Sequence, residues 1–396
     1  MKENNIYLHI GHGKTGTSAV QSALAIAKDS LLSLGIYYPI DSSIQNKASK
    51  FGITSGNWSH ISERSLGKEL MERLKGATNN SSLLLSSEHL FWYMDSLFED
   101  NDIDLDEVNL HVILAVRDLE EMLSSEYQQL VKRHGETRPF EMFLRSREFI
   151  SSHHRRAAQL LKALKHRSIR TTVINYSKHK SSIAEDVFEV IGAKDAYPRS
   201  RMAGVVINRS LTQKELEILR VINSIYFKKY PTVGVRISDA LVKAFPMFYS
   251  QKLKLSVESR NKLYEYNSSY VDAINAYLPN EELLLGVETF KDSIHSKIEQ
   301  IVPNRQIREE EQQSIEVVGV TLQNILRVVL SDKIQEQASH KRLSKKLVDQ
   351  LVEMSQSPEI NGKLKLEILE LASASRPKRK RLARLLEKAR VGFLGD

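Results

Sequence analysis

Ile6-Tyr-Leu-His-Ile-Gly-His-Gly-Lys-Thr-Gly-Thr-Ser18 decides how the rest of the chain is read. Its first half, Ile6 to Ile10, is an apolar run that reads as a buried parallel strand. Three glycines, a lysine and three hydroxyl residues follow, and Ala19 to Ile26 then reads as a helix. A strand that feeds a glycine-rich turn at a helix N-terminus is an anion cradle. Backbone N–H groups point outward there, and the helix dipole favours negative charge. Lys14 adds a point charge, and Thr15, Thr17 and Ser18 add donors. The expected ligand is a phosphate compound.

The nearest general pattern is the nucleoside-triphosphate loop, G-x-x-x-x-G-K-[ST]. Gly13-Lys14-Thr15 fits its second half, but its first glycine falls on Leu8, inside the strand. The triphosphate pattern therefore fails at a position that shapes the loop. The bland alternative is a tight strand-to-helix turn with no ligand, but the glycines, lysine and hydroxyls exceed what a turn needs.

A second segment narrows the choice. His111 to Val116 is another buried-strand run, it ends at Arg117-Asp118, and Leu119 to Val131 reads as a helix. Ser125 lies eight residues after Arg117, about two helical turns past the cap at Asp118. That spacing brings a guanidinium and a hydroxyl toward one side of the strand's C-terminal edge, where both could hold a second phosphate. The competing reading of Arg117 is a surface ion pair with Glu120 or Glu121.

Together the two segments resemble the sulfotransferases that use 3′-phosphoadenosine 5′-phosphosulfate (PAPS). Gly13-Lys14-Thr15-Gly16-Thr17-Ser18 is similar to that family's 5′-phosphosulfate loop, P-K-x-G-T-[ST]. Arg117 with Ser125 is similar to its 3′-phosphate motif. Gly13 stands where the family has proline. The resemblance covers residues 5 to 290 and implies a P-loop-like sulfotransferase fold with PAPS as co-substrate. The product would be 3′-phosphoadenosine 5′-phosphate (PAP), with no metal requirement. The acceptor it implies is a hydroxyl of a carbohydrate or glycolipid. A kinase using ATP and an inactive nucleotide-binding scaffold are the rival classes.

The expected fold class is α/β, a parallel sheet flanked by helices. Strand-like runs recur at Ile6–Ile10, Ser82–Ser87, Leu110–Val116 and Arg170–Tyr176, with helical stretches such as Ser62–Lys75 and Arg155–Lys165 between them. All four strands end in polar residues, so the site is expected along their C-terminal edge. Transfer of a sulfuryl group needs a base for the acceptor's proton. Glu88 and His89 end the second of these strands. The resemblance implies a glutamate or histidine from such a strand, and Glu88 is preferred, although a histidine needs less perturbation to act near neutral pH. The bland reading of Glu88 is a helix cap. Lys14 is expected to stabilise the leaving oxygen. His9, within the apolar strand, reads as a core histidine, and His12 flanks the loop. Arg209, ahead of a capping box at Thr212 and Glu215, is a further candidate for the nucleotide.

The chain of 396 residues has no cysteine, which excludes disulfides and cysteine chemistry. No signal-peptide pattern opens it and no apolar run reaches the ~18 residues of a membrane span. A cytoplasmic bacterial enzyme is the expectation. A catalytic domain is expected over 1–300, with a helical acceptor-side region at 211–300. Tyr264, Tyr266 and Tyr270 in that region read as helix-face packing. A helical extension is expected over 301–396, set off by the charged stretch Ile307–Ser314, with helices at Val317–Ile334 and Leu343–Met354. Its end is basic: Arg376, Lys378, Arg379, Lys380, Arg381, Arg384, Lys388 and Arg390 face only Glu387 and Asp396. That gives +6 of the chain's formal +8. Leu382, Leu385, Leu386 and Ala389 add an apolar stripe, so the segment reads as a basic amphipathic helix. It is either packed on its own domain or peripheral on an anionic membrane surface; a polyanionic glycan ranks behind these, and nucleic acid is the least favoured partner.

Overall fold

The computed structural model describes residues 5–11, 13–58, 68–70, 72–73, 82–98, 108–204, 210–245, 253, 255–286, 321, 345–356, 362–376 and 379–393. His12, Arg209, the stretch 307–314, nearly all of 317–334 and most of 62–75 lie outside them. The chain divides into two compact units. One comprises Met1–Gln128, Arg138–Arg209 and Gln251–Gln300; the other comprises Gln129–Thr137, Ser210–Ser250 and Ile301–Asp396.

The first unit is built on a five-stranded, all-parallel sheet in the order β2-β3-β1-β4-β5. Its strands are β1 (Asn5–Gly11), β2 (Ile36–Tyr37), β3 (Ser82–Ser86), β4 (Asn109–Val116) and β5 (Arg170–Asn175). Four are the strands expected from the sequence. The two-residue β2 has too short an apolar run to announce itself. β1 is central, and its register runs Ile6↔Leu83 on one side and Ile6↔Leu110 on the other.

The pleat sorts the strands' side chains between two cores. Ile6, Leu8, Ile10, Leu83, Leu85, Leu110, Val112, Leu114, Val116 and Val173 face one side. There they meet Phe91 and Met94 of the helix His89–Phe98, Leu160 and Leu164 of the helix Ser152–His166, and Val271 and Ile274 of the helix Val257–Asn275. Leu84, Ile113, Ala115 and Ile174 face the other side. There they meet Val20 and Leu24 of the helix Thr17–Ile26 and Val187 and Phe188 of the helix Ile183–Val190. Burial on both faces explains why β1, β3 and β4 read as largely apolar runs instead of alternating ones.

Two histidines interrupt those runs, and each finds a hydroxyl on the next strand. His9 Nδ1 lies 2.8 Å from Ser86 Oγ, and His111 Nε2 lies 2.8 Å from Thr172 Oγ1. His9 is therefore the core histidine the sequence indicates. On the helix Val257–Asn275, Tyr264 is buried at 3% exposure whereas Tyr266 is 47% exposed.

In the second unit, Thr212 and Glu215 form the expected capping box on the helix Gln213–Tyr226. Asn223 of that helix donates to the carbonyl of Val131 at 2.7 Å. The basic helix spans Lys380–Phe393. Its Leu382 is buried and Leu385, Leu386 and Ala389 are half-buried, while Lys380, Arg381, Arg384 and Lys388 are exposed. Arg379, just before the helix, pairs with Asp349, and Arg390 pairs with Glu370. The apolar stripe is thus covered within its own unit and the cations face out. Among the described residues no helix is long and apolar enough to cross a membrane.

Burial pushes the pKa of His9 down to about 4, and burial with the nearby charge of Arg170 does the same for His111. The unfolded chain takes up these protons below about pH 6.5, and the folded one does not until about pH 4. Their contribution to stability is complete above the upper value and is lost as pH falls toward the lower one. The urea midpoint should drop across that interval, and the drop should be smaller in His9→Gln. An identical pH profile for the variant would contradict a neutral buried His9.

Candidate functional site

The strands are parallel, so the segments leaving β1, β3, β4 and β5 gather at one edge of the sheet. The segment after β1 is the glycine-rich loop. Lys14 has φ +79° and Gly16 has φ +78°, both left-handed. Gly16 is the N-cap of the helix Thr17–Ile26, and its carbonyl accepts from Ala19 N at 2.9 Å. No side chain caps this helix end, and no acidic residue lies in its first turn. The loop is drawn tight over its own glycines. A Cβ at Gly11 would lie 2.6 Å from Thr15 Oγ1, and one at Gly16 would lie 2.7 Å from the Tyr176 ring. Thr15 and Thr17 are buried, Gly13, Gly16 and Ser18 are half-buried, and Lys14 is exposed. Thr15 is thus folded into the loop, whereas Lys14 stands outside it.

Glu88 supplies from a neighbouring strand the negative group that the helix end lacks. The Thr17 hydroxyl donates to Glu88 Oε1 in a short hydrogen bond. A Cβ at Gly13 would be 3.5 Å from Glu88 Oε2, so the carboxylate overhangs the loop. A carboxylate is favoured at a helix N-terminus. The capping alternative for Glu88 does not describe its side chain, because Ser87 Oγ accepts from His89 N at 3.2 Å while the Glu88 carboxylate reaches across to Thr17. His89 is half-buried, and its Nδ1 is buried with no hydrogen-bond partner among the described residues. Glu88 and His89 line a cleft of ≈ 480 Å³ whose other wall is the helix Ser42–Ala48 and residues 53–55.

Arg117 leaves β4 beside this loop. Its Nη1 donates to the carbonyl of Lys14 at 3.0 Å, and its guanidinium lies 5.3 Å from the centre of the Tyr176 ring. Its Nε is 3.3 Å from Glu121 Oε2. The ion pair weighed from sequence is therefore present, but it is one of three contacts. Glu121 is shared further, with Lys180 at 2.8 Å and the Ser177 hydroxyl at 3.1 Å. Asp118 begins the helix Leu119–Arg133, its carbonyl accepting from Met122 N at 2.8 Å. Ser125 lies on that helix, half-buried.

Behind Arg117 stands a buried network that spacing does not reveal. His154 Nε2 donates to the carbonyl of Arg117 at 2.9 Å, and its Nδ1 meets Ser151 Oγ at 2.9 Å. Burial drives the His154 pKa down to about 4, so the ring is neutral at physiological pH. The carbonyl can only accept, which places the proton on Nε2. Asn267 accepts from Ser151 N at 2.9 Å and donates to Phe149 O at 2.7 Å. Glu148 and Phe149 have positive φ, so Asn267 braces a strained turn. His154 and Asn267 are the functional-site supports that sequence reasoning missed; the only signal was a histidine three residues after a cap serine.

The geometry is that of a loop fixed in a high-energy shape. A non-glycine residue in the left-handed region costs roughly 1–2 kcal/mol, and Lys14 is held there by Arg117. Lys14→Gly relieves that strain, offset by about 0.5–1 kcal/mol of unfolded-chain entropy. It should therefore unfold at an equal or higher urea concentration. A loss above about 1 kcal/mol would mean that the lysine side chain itself stabilises the loop.

Comparison of the chain with protein-family models, with curated proteins and with solved structures returns no match.

Proposed function

We propose that the chain is a PAPS-dependent sulfotransferase with a P-loop-like sulfotransferase fold, acting on a hydroxyl of a carbohydrate or glycolipid. The bond between Arg117 and the Lys14 carbonyl carries this reading. The loop suited to a 5′-phosphosulfate and the arginine suited to a 3′-phosphate belong to neighbouring strands and hold each other in place. A nucleotide with phosphates at both ends has use for two such sites. A triphosphate, with its phosphates in one row, has less. The residues present fit the group: a helix end without a side-chain cap, the exposed Lys14 and the half-buried Ser18, with the Thr17 hydroxyl held by Glu88.

When bound, PAPS supplies a sulfuryl group on a phosphate leaving group. Lys14 neutralises charge as it collects on the departing phosphate oxygen. Glu88 takes the proton of the acceptor hydroxyl while its oxygen bonds to sulfur and the bond from sulfur to the phosphate oxygen breaks. His89 is the neighbouring candidate for that proton. The outward cations of the helix Lys380–Phe393 suit an anionic surface on which a glycolipid is presented. With Leu382 covered, such contact would be electrostatic and salt-sensitive.

PAP should raise the unfolding temperature of the full chain without added metal, and ATP with Mg²⁺ should not. Stabilisation by ATP–Mg²⁺ alone would replace this reading with a kinase. Binding of PAP without transfer of labelled sulfate from PAPS to any glycan extract would leave a scaffold.

Two substitutions separate the roles of the loop and the base. Lys14→Ala should lower turnover on the order of a hundredfold or more, as loss of a charge stabiliser does. Glu88→Gln should also lower turnover by about a hundredfold or more. Yet it should bind PAP several-fold more tightly, because a like charge worth about 1 kcal/mol near an anion has been removed. Weaker PAP binding by Glu88→Gln would assign Glu88 to support of the loop instead.

A further inference from the structure

The cleft beside Glu88 and His89 has walls of a definite chemistry. Ser43, Thr54 and Ser55 bring hydroxyls, Ile44 and Ile53 bring apolar surface, and Lys47 brings one positive charge. The wall at 53–55 is fixed from behind. Asn57 receives Ser86 N at 2.8 Å and donates to Leu84 O at 2.9 Å, which fastens the segment along β3. Thr54 also reaches Gln21 on the helix that follows the glycine-rich loop, at 3.1 Å.

Lys47 is placed with equal care. It ends the helix Ser42–Ala48, and the chain folds back so that Gly52 N bonds the Lys47 carbonyl at 2.9 Å. Phe51, at φ +62°, makes this turn. A Cβ at Gly52 would lie 2.6 Å from Lys47 Cγ, so the backbone lies against the lysine stem. The ammonium is exposed, and no carboxylate forms an ion pair with it among the described residues. The other wall is made by Glu88 and His89.

We propose that this cleft receives the acceptor and that Lys47 selects acceptors with an anionic group beside the reacting hydroxyl, an acidic sugar such as a hexuronate. The proposal rests on the sulfotransferase reading. An acidic acceptor approaching Glu88 and a polyanionic donor meets like charge on two sides. A fixed cation on the remaining side offsets that repulsion, whereas a neutral sugar gives Lys47 nothing to pair with. Hydroxyl residues match the sugar's hydroxyls, and the aliphatic surface of Ile44 and Ile53 matches the apolar face of its ring.

The test uses the full chain saturated with PAP and two oligosaccharides that differ only in a hexuronate for a hexose. Their affinities are measured by titration calorimetry for the wild type and for Lys47→Gln. The acidic oligosaccharide should bind at least tenfold more tightly to the wild type. Lys47→Gln should bring the two affinities within about twofold of each other, with PAP affinity unchanged. Equal affinities in the wild type, a preference that survives Lys47→Gln, or no binding of either sugar at millimolar concentration would each overturn the proposal. So would a fall in PAP affinity with the sugar preference intact, since Lys47 would then serve the donor. Failure of the wild type to bind PAP at all would instead remove the sulfotransferase reading beneath it.

Discussion

The hydrogen bond from the Arg117 guanidinium to the carbonyl of Lys14 is the interaction on which the site depends. Lys14 sits in a backbone region that L-residues avoid, so something outside the loop must hold it there. Arg117 does so from the adjacent strand, and its own backbone is held in turn by His154. Ser151 and Asn267 extend the support to the helix Val257–Asn275. Strain at one residue is therefore balanced by a relay of hydrogen bonds through residues far apart in the sequence. The parallel register makes this possible, because Gly11 of β1 pairs with Ala115 of β4 and the two exits lie side by side.

The same edge is polar by construction. The strands β1, β3 and β4 are buried on both faces along most of their length, so they offer chemistry only where they end. β1 ends at the loop, β3 at Glu88 and His89, β4 at Arg117 and β5 at Tyr176 and Ser177. Charge is then arranged by proximity. Glu88 answers the uncapped helix after β1, and Glu121 gathers Arg117, Lys180 and the Ser177 hydroxyl. Lys14 is exposed at this edge, whereas Glu88 holds the Thr17 hydroxyl and Glu121 holds Arg117 and Lys180.

What the sequence disclosed follows from which constraints are local. The strands β1, β3 and β4 were legible because burial on both faces demands largely apolar runs. The loop was legible because glycine and hydroxyl residues crowd where a strand meets a helix. Arg117 was legible as a cation at a strand end, though its partner was not: the Lys14 carbonyl lies 103 positions away. The second strand escaped notice because two residues carry no periodicity. His154, Asn267 and Asn57 were invisible for another reason. Each acts through a single side chain that satisfies distant backbone, and no spacing records such a bond. The cleft wall at 42–55 is of this kind, since it is positioned by the Asn57 bonds to β3 and not by a pattern of its own.

The three glycines of the loop look equivalent in the sequence and are not. Gly16 needs its left-handed φ and the absence of a side chain against Tyr176, and Gly11 needs room for Thr15 and Thr17. A Cβ at Gly13 would make only an ordinary contact, 3.5 Å from Glu88 Oε2. Space for a Cβ thus does not explain why this chain departs from the proline of the loops it resembles. What separates glycine from proline at such a place is the amide N–H, which proline lacks, and the wider backbone freedom. Under the proposed function the loop presents N–H groups to an anion, and a backbone donor at this position is the difference between glycine and proline that bears on it. Packing of the loop requires glycine at positions 11 and 16, and at position 13 it does not.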